Sequence, residues 1–310
     1  MSHDEKTGGY GSTFARIGRR ALLKLAGATT VGLPLAAYLG RAPWQGVPPA
    51  RAQAQLGSPT RESYWRGDYC VHENVDASQF DSGIVRARLG GEWQSFYGRR
   101  LTQEFVDWNF AARMQYLTGG MGPMCLDGPH SGCLATCGAN RGDSVFSLNA
   151  AYKGFGFYPV ESRFDEFQQI LHDNWTASSS TKIGILRGFY EDQTMWDFRV
   201  LSSLELYTTP TFETHSFLNQ MANPMATICW LAIPGSYEVR AIPRLLHPLD
   251  PDLADVDRKR IMWVNSMHDF YHGGDYPDPP WYIACVYYVV EVFDNSPYPG
   301  LMGVRTAPPL

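Results

Sequence analysis

The chain has 310 residues, 44% hydrophobic and 14% aromatic, and its 26 Lys and Arg against 31 Asp and Glu give a formal net charge of −5. An acidic chain without a basic cluster excludes nucleic-acid binding as a principal role. The 30 glycines, 21 prolines and abundant aromatics suit a loop-rich globular protein with substantial β-structure.

The first 54 residues differ from the rest. A polar opening leads into Gly18-Arg19-Arg20-Ala21-Leu22-Leu23-Lys24, then a mildly apolar run over 25–39, then a Pro- and Ala-rich stretch over 42–55. This is the tripartite plan of a cleaved targeting peptide. The arginine pair and its neighbours resemble the twin-arginine (Tat) signal family. Arg19, Arg20, Leu22, Leu23 and Lys24 fill that family's recognition slots, with Leu22 where phenylalanine is commonest. The resemblance implies an address read by the Tat translocase, a bacterial protein folded before export, and a destination in the periplasm or at the cell surface. The apolar run falls short of the about 20 strongly apolar residues a spanning helix needs, so no permanent membrane span is expected. Ala52-Gln53-Ala54 fits a small-x-small cleavage site, which starts the mature chain near Gln55. Residues 55–310, read as one extracytoplasmic domain, hold 19 basic and 29 acidic side chains, a charge of about −10.

Along that domain, Thr102 caps an expected helix from Gln103 to Leu117, stopped by Gly119-Gly120. Residues 119–156 are dense in glycine and carry three cysteines, and are expected to be irregular. Ser162 is expected to cap a helix whose face carries Phe164, Phe167, Leu171 and Trp175, broken by the Gly-, Ser- and Thr-rich residues 176–184. Further helices are expected over Trp196–Tyr207 and Phe212–Met221. Thr227–Ile233, a Pro234-Gly235-Ser236 turn and Tyr237–Ile242 spell a hairpin. A helix from Pro251 to His272, capped by Asp250, follows. Trp281–Phe293 is the strongest strand, long enough to require a bend or bulge. The expected class is α+β, a mostly antiparallel sheet with several packed helices.

Six cysteines, Cys70, Cys125, Cys133, Cys137, Cys229 and Cys285, permit up to three disulfides in an oxidising compartment, with fifteen possible pairings. Cys125, Cys133 and Cys137, near His130, also form a soft-metal candidate, although their spacing departs from the paired C-x₂-C pattern of common zinc sites. Cys229 and Cys285 stand among apolar strand residues, where inert thiols and an inter-strand bridge are both ordinary.

The sharpest candidate for chemistry is His268-Asp269-Phe270-Tyr271-His272. It puts two imidazoles four residues apart on one helix face, with Asp275 just beyond. Such a set suits Zn, Fe or Cu. The competing reading makes His268 a hydrogen-bonded core residue and His272 a helix C-cap. No nucleophile elbow, phosphate loop, dinucleotide fingerprint or haem-attachment motif is present in the sequence. Two functions follow. The first is a non-catalytic envelope or surface component acting through a protein partner or homo-oligomer. The second is a metal- or cofactor-dependent redox or hydrolytic enzyme using His268, His272 and Asp275.

Overall fold

A computed structural model of the chain describes residues 64–119, 128–139, 144–232, 235–272, 281–298, 300 and 303–306. The strands are β1 (Trp65–Arg66), β2 (Tyr69–Cys70), β3 (Val75–Asp76), β4 (Ile84–Leu89), β5 (Glu92–Tyr97), β6 (Ser131–Cys137), β7 (Leu148–Gly154), β8 (Gly156–Pro159), β9 (Trp196–Glu205), β10 (Ala226–Ala232), β11 (Gly235–Leu246), β12 (Ile283–Asp294) and β13 (Val304–Arg305). The α-helices among the described residues are α1 (Gln103–Gly119), α2 (Phe164–Asp173), α3 (Ser179–Glu191), α4 (His215–Ala222) and α5 (Asp255–His272). The protein is α+β with antiparallel pairing, as the sequence leads one to expect.

The large sheet runs β7-β6-β10-β11-β12-β9-β8, with β13 on β12. Its two end strands are separated by one residue, Phe155. The sheet therefore curls until its ends meet as two halves of one bent segment. Ser203 Oγ of β9 donates to the Gly154 carbonyl at 2.7 Å across that seam.

Strand alternation sorts the side chains. On β10, Ala226, Ile228 and Trp230 are buried inside the curl while Thr227, Cys229 and Leu231 face out. Phe155 turns inward at the bend, 5.4 Å from the Trp230 ring and 5.5 Å from the Tyr287 ring. Burial of such rings stabilises by about 1.5–3 kcal/mol each, and edge-to-face contact adds about 0.5–1.5 kcal/mol. Gly132 makes room for the bend, since a Cβ there would come within 3.0 Å of the Phe155 ring.

Helices cover the rest. Thr102 begins α1 by accepting from the Phe105 amide at 3.3 Å, and Phe105 packs on Trp230 and Tyr237. Arg113 of α1 donates to the carbonyls of Pro129 and Phe155 and to Tyr190, satisfying the backbone where β7 turns into β8. An aromatic layer joins α2, α3 and α5 and meets the sheet through Trp196 of β9. In it Phe167 stacks on Phe189 at 4.3 Å, and both rings touch Trp263. Asn265 fixes α5 to the start of β12: its Nδ2 donates to the Tyr282 carbonyl at 3.1 Å and its Oδ1 accepts from the Tyr282 amide at 2.8 Å.

The expected α1, the β10–β11 hairpin and the long β12 are present, and β12 carries the anticipated bulge opposite Arg240/Ala241. Several expectations fail. Trp196–Tyr207 is not a helix but carries the strand β9: Trp196, Phe198 and Val200 alternate with the charged Asp197 and Arg199, and only over Val200–Ser203 are both faces buried and the period lost. Residues 119–156 are not wholly irregular, since they supply β6 and β7. Their small residues carry little strand propensity of their own, and pairing with β10 fixes them. The expected break over 176–184 is present but shorter and earlier: α2 ends at Asp173 and α3 already starts at Ser179, with Ser178 Oγ accepting from the Thr181 amide at 3.2 Å. Helix α5 begins at Asp255, because the Asp250 carboxylate accepts from Asp252 in a turn before it. Ser162 lies in a 3₁₀ turn ahead of α2 and makes no cap, and α4 begins at His215, capped by Thr214.

Candidate functional site

The last two turns of α5 bring His268 and His272 together, with ring centroids 4.7 Å apart. His268 Nδ1 lies 2.9 Å from the Asp269 carboxylate, and its ring meets Tyr282 edge-on at 5.7 Å. The imidazole is thus oriented by a carboxylate on one nitrogen, as metal-binding histidines usually are. Partial desolvation, then the neighbouring His268, hold the His272 pKa below its ordinary value, with Asp269 opposing. Lys182 of α3 satisfies one carbonyl of the last turn: its Nζ donates to the Phe270 carbonyl at 3.1 Å and sits 4.3 Å over the Phe270 ring. Asp275, the proposed third ligand, lies outside the described residues. Among the described residues no three His, Cys, Asp or Glu side chains gather as a metal-ligand set.

Cys125 and the signal residues Arg19, Arg20, Leu22, Leu23 and Lys24 also lie outside the described residues. The five described cysteines are free thiols. Cys70 and Cys285 are buried. Burial pushes the Cys70 thiol up to about 12, with Asp250 and Glu213 adding to the effect, and raises Cys285 further still. Cys133 of β6 and Cys229 of β10 are direct partners in the ladder. Cys137 lies at the exposed end of β6, its Sγ 3.5 Å from Asn223 Nδ2.

Two features escape a sequence reading. The first is a charged pair inside the curl, Lys153 of β7 with Glu205 of β9, whose side chains are 13% and 1% exposed. Glu205 also accepts from Thr214 Oγ1 at 3.1 Å and Gln220 Nε2 at 3.4 Å. Nothing in the sequence pairs positions that far apart, and Glu205 falls in the segment expected to be helical.

The second is the outer face of β7, β6 and β10. Leu148, Tyr152 and Leu231 project from it with 67%, 72% and 70% exposure. Small or weakly polar side chains, Ala135, Ala150, Cys133, Cys229 and Thr227, lie between them. A cleft of about 520 Å³ continues this face under β5, walled by Tyr97, Leu148 and Met225. Its far rim carries both signs of charge: Arg240 pairs with Glu238 at 2.7 Å and Glu291 at 3.1 Å, and Arg305 pairs with Glu291 at 3.0 Å. The hairpin reading marked β10 of this face, but taking 119–156 as irregular hid β6 and β7 beside it.

What the fold and these features define is an α+β protein on a curled antiparallel sheet, with an apolar outer face and a paired-histidine helix end. No protein-family model matches the chain, and no curated protein matches it. Among solved structures it is similar to the crystal structure of a tagged HupZ from Group A Streptococcus, at 10% identity. That match covers 66% of this chain and 98% of the other, with a TM-score of 0.32. Among the described residues no helix is long and apolar enough to cross a membrane.

Proposed function

We propose that the protein is a non-catalytic extracytoplasmic component, delivered by the Tat route, that acts by docking a protein partner on the outer face of its curled sheet. The observation that carries this reading is a set of strongly exposed apolar side chains, Leu148 and Tyr152 of β7 and Leu231 of β10, joined across β6 by Ala150, Ala135, Cys133 and Cys229 on the same sheet face. Scattered exposed apolar residues are ordinary, but contiguous ones mark interaction surfaces. The partner that fits is a second copy of the chain. A neutral apolar centre with a rim of both signs is self-complementary under a two-fold axis. Size-exclusion chromatography with light scattering on the exported protein tests it. The wild type elutes as a dimer, and Tyr152→Asp with Leu231→Asp elutes as a folded monomer. An unchanged mass in that variant removes the face from the account.

A second reading rests on a different observation, the 4.7 Å approach of His268 and His272 with Asp269 orienting the first ring. These residues suit a Zn, Fe or Cu ion that would act as Lewis acid or redox centre. Elemental analysis of protein purified without chelators tests that reading, since His268→Ala and His272→Ala must each strip the metal.

A further inference from the structure

Cys133 and Cys229 face each other across the β6–β10 ladder. Directly opposed residues on antiparallel strands send their side chains to the same side, with Cβ atoms about 4.5–5.5 Å apart. Their Cα atoms then fall within the roughly 4.4–6.8 Å range a disulfide spans, and a small contraction of the ladder brings the Cβ atoms into bonding range. Both residues are half-buried on the outer face, open to a soluble thiol reagent in the monomer with which the docked pair is in equilibrium. The remaining described cysteines are placed differently. Cys70 and Cys285 are buried. Cys137 is four residues along β6 from Cys133, about 13 Å at strand rise.

We propose that Cys133 and Cys229 form a reversible cross-strand disulfide when the protein meets an oxidising compartment that contains an organic disulfide. One cysteine thiolate attacks that disulfide, forming a mixed disulfide and releasing one thiolate of the oxidant. The second cysteine thiolate attacks the protein sulfur of the mixed disulfide, forming the Cys133–Cys229 bond and expelling the other thiolate. Two electrons pass from the cysteines to the organic disulfide, and the two cysteine protons end on its two thiols. Partial burial, then Glu238 and Cys133, raise the Cys229 pKa, with Arg240 opposing, so the exchange quickens as pH rises. A bridge between directly opposed residues draws the two strands together, and strained bridges are the more easily reduced. The bond is therefore a labile, redox-responsive staple on the outer face rather than a permanent strut.

The test is peptide mapping of the exported protein after equilibration in oxidised and reduced glutathione at a series of ratios, with free thiols trapped by alkylation. The expected result is one cross-linked peptide pair holding Cys133 and Cys229, reversed by dithiothreitol and absent in both Cys133→Ser and Cys229→Ser. Cys137 stays alkylated throughout. Three results overturn the proposal: both thiols alkylated at every ratio, either cysteine stopping as a stable glutathione adduct, or either joined instead to Cys125 or Cys137.

Discussion

Lys153 and Glu205 form an ion pair across the seam where the two ends of the curled sheet meet, with Glu205 almost wholly closed to solvent. The pair ties β7 to β9, and Thr214 and Gln220 bring α4 to the same carboxylate. Breaking a buried pair from one side costs about 3–5 kcal/mol, because it strands a charge, whereas removing both charges costs far less. Lys153→Met is therefore expected to destabilise by that amount. Glu205→Gln costs less, since the longer lysine reaches solvent. The double variant recovers most of the Lys153→Met loss. Urea unfolding of the four proteins measures it, and simple additivity of the two single losses would contradict the seam.

His72 gives the fold a titratable weak point. Its Nδ1 accepts from the Leu245 amide at 3.1 Å, so the ring is neutral. Burial, then the guanidinium of Arg244, lower its pKa from 6.5 to about 3, with the Gln220 carbonyl opposing. The folded value lies below the unfolded one, so the unfolded chain takes the proton first. Stability is whole above about pH 6.5 and is lost as pH falls toward 3. Linkage puts the loss at about 2 kcal/mol by about pH 5. In His72→Gln, which keeps an acceptor for Leu245, the stability difference between neutral and mildly acidic buffer shrinks by that amount. Equal pH dependence in both proteins would refute the assignment.

Asp257, buried at the start of α5, accepts from Arg244 at 2.7 Å and Arg260 at 3.1 Å. It anchors to β11 the helix that carries His268 and His272. Asp257→Asn leaves two guanidinium groups facing each other with their common counter-charge gone. The expected loss is about 3 kcal/mol, read as a lower Tm. A change under about 0.5 kcal/mol, the level of an ordinary surface substitution, would show that the anchor is not needed.

Thr214 caps α4 through the Phe217 amide at 3.1 Å and also donates to Glu205. Thr214→Ala is expected to cost more than the about 1 kcal/mol of a simple cap, and Thr214→Ser to restore most of it. Equal losses in the two variants would mean that the hydroxyl is not the group that matters.

How far the sequence carried differs by element. Helix α1 was legible because a capping threonine precedes a run of spaced apolar residues, although the helix includes Gly119, where a stop was expected, and the hairpin because two β-rich runs stand close together in the chain. Strand β9 was missed although Trp196-Asp197-Phe198-Arg199-Val200 alternates with period two, because the alternation dissolves in Leu201-Ser202-Ser203, where both faces are buried. Strands β6 and β7 were missed because glycine and alanine write no strand signal, and only neighbours hold them extended. The histidine pair was legible because four-residue spacing on a helix is a local fact. The outer apolar face and the Lys153–Glu205 pair are long-range products of the curl, which no local pattern encodes.

Sedimentation equilibrium of the exported protein over a wide concentration range decides whether the outer face pairs two copies of the chain. A monomer–dimer equilibrium is expected, shifting to monomer when Tyr152 and Leu231 are replaced by aspartate. A monomer at every concentration would contradict it, because the exposed face of β7, β6 and β10 would then have no second copy to meet.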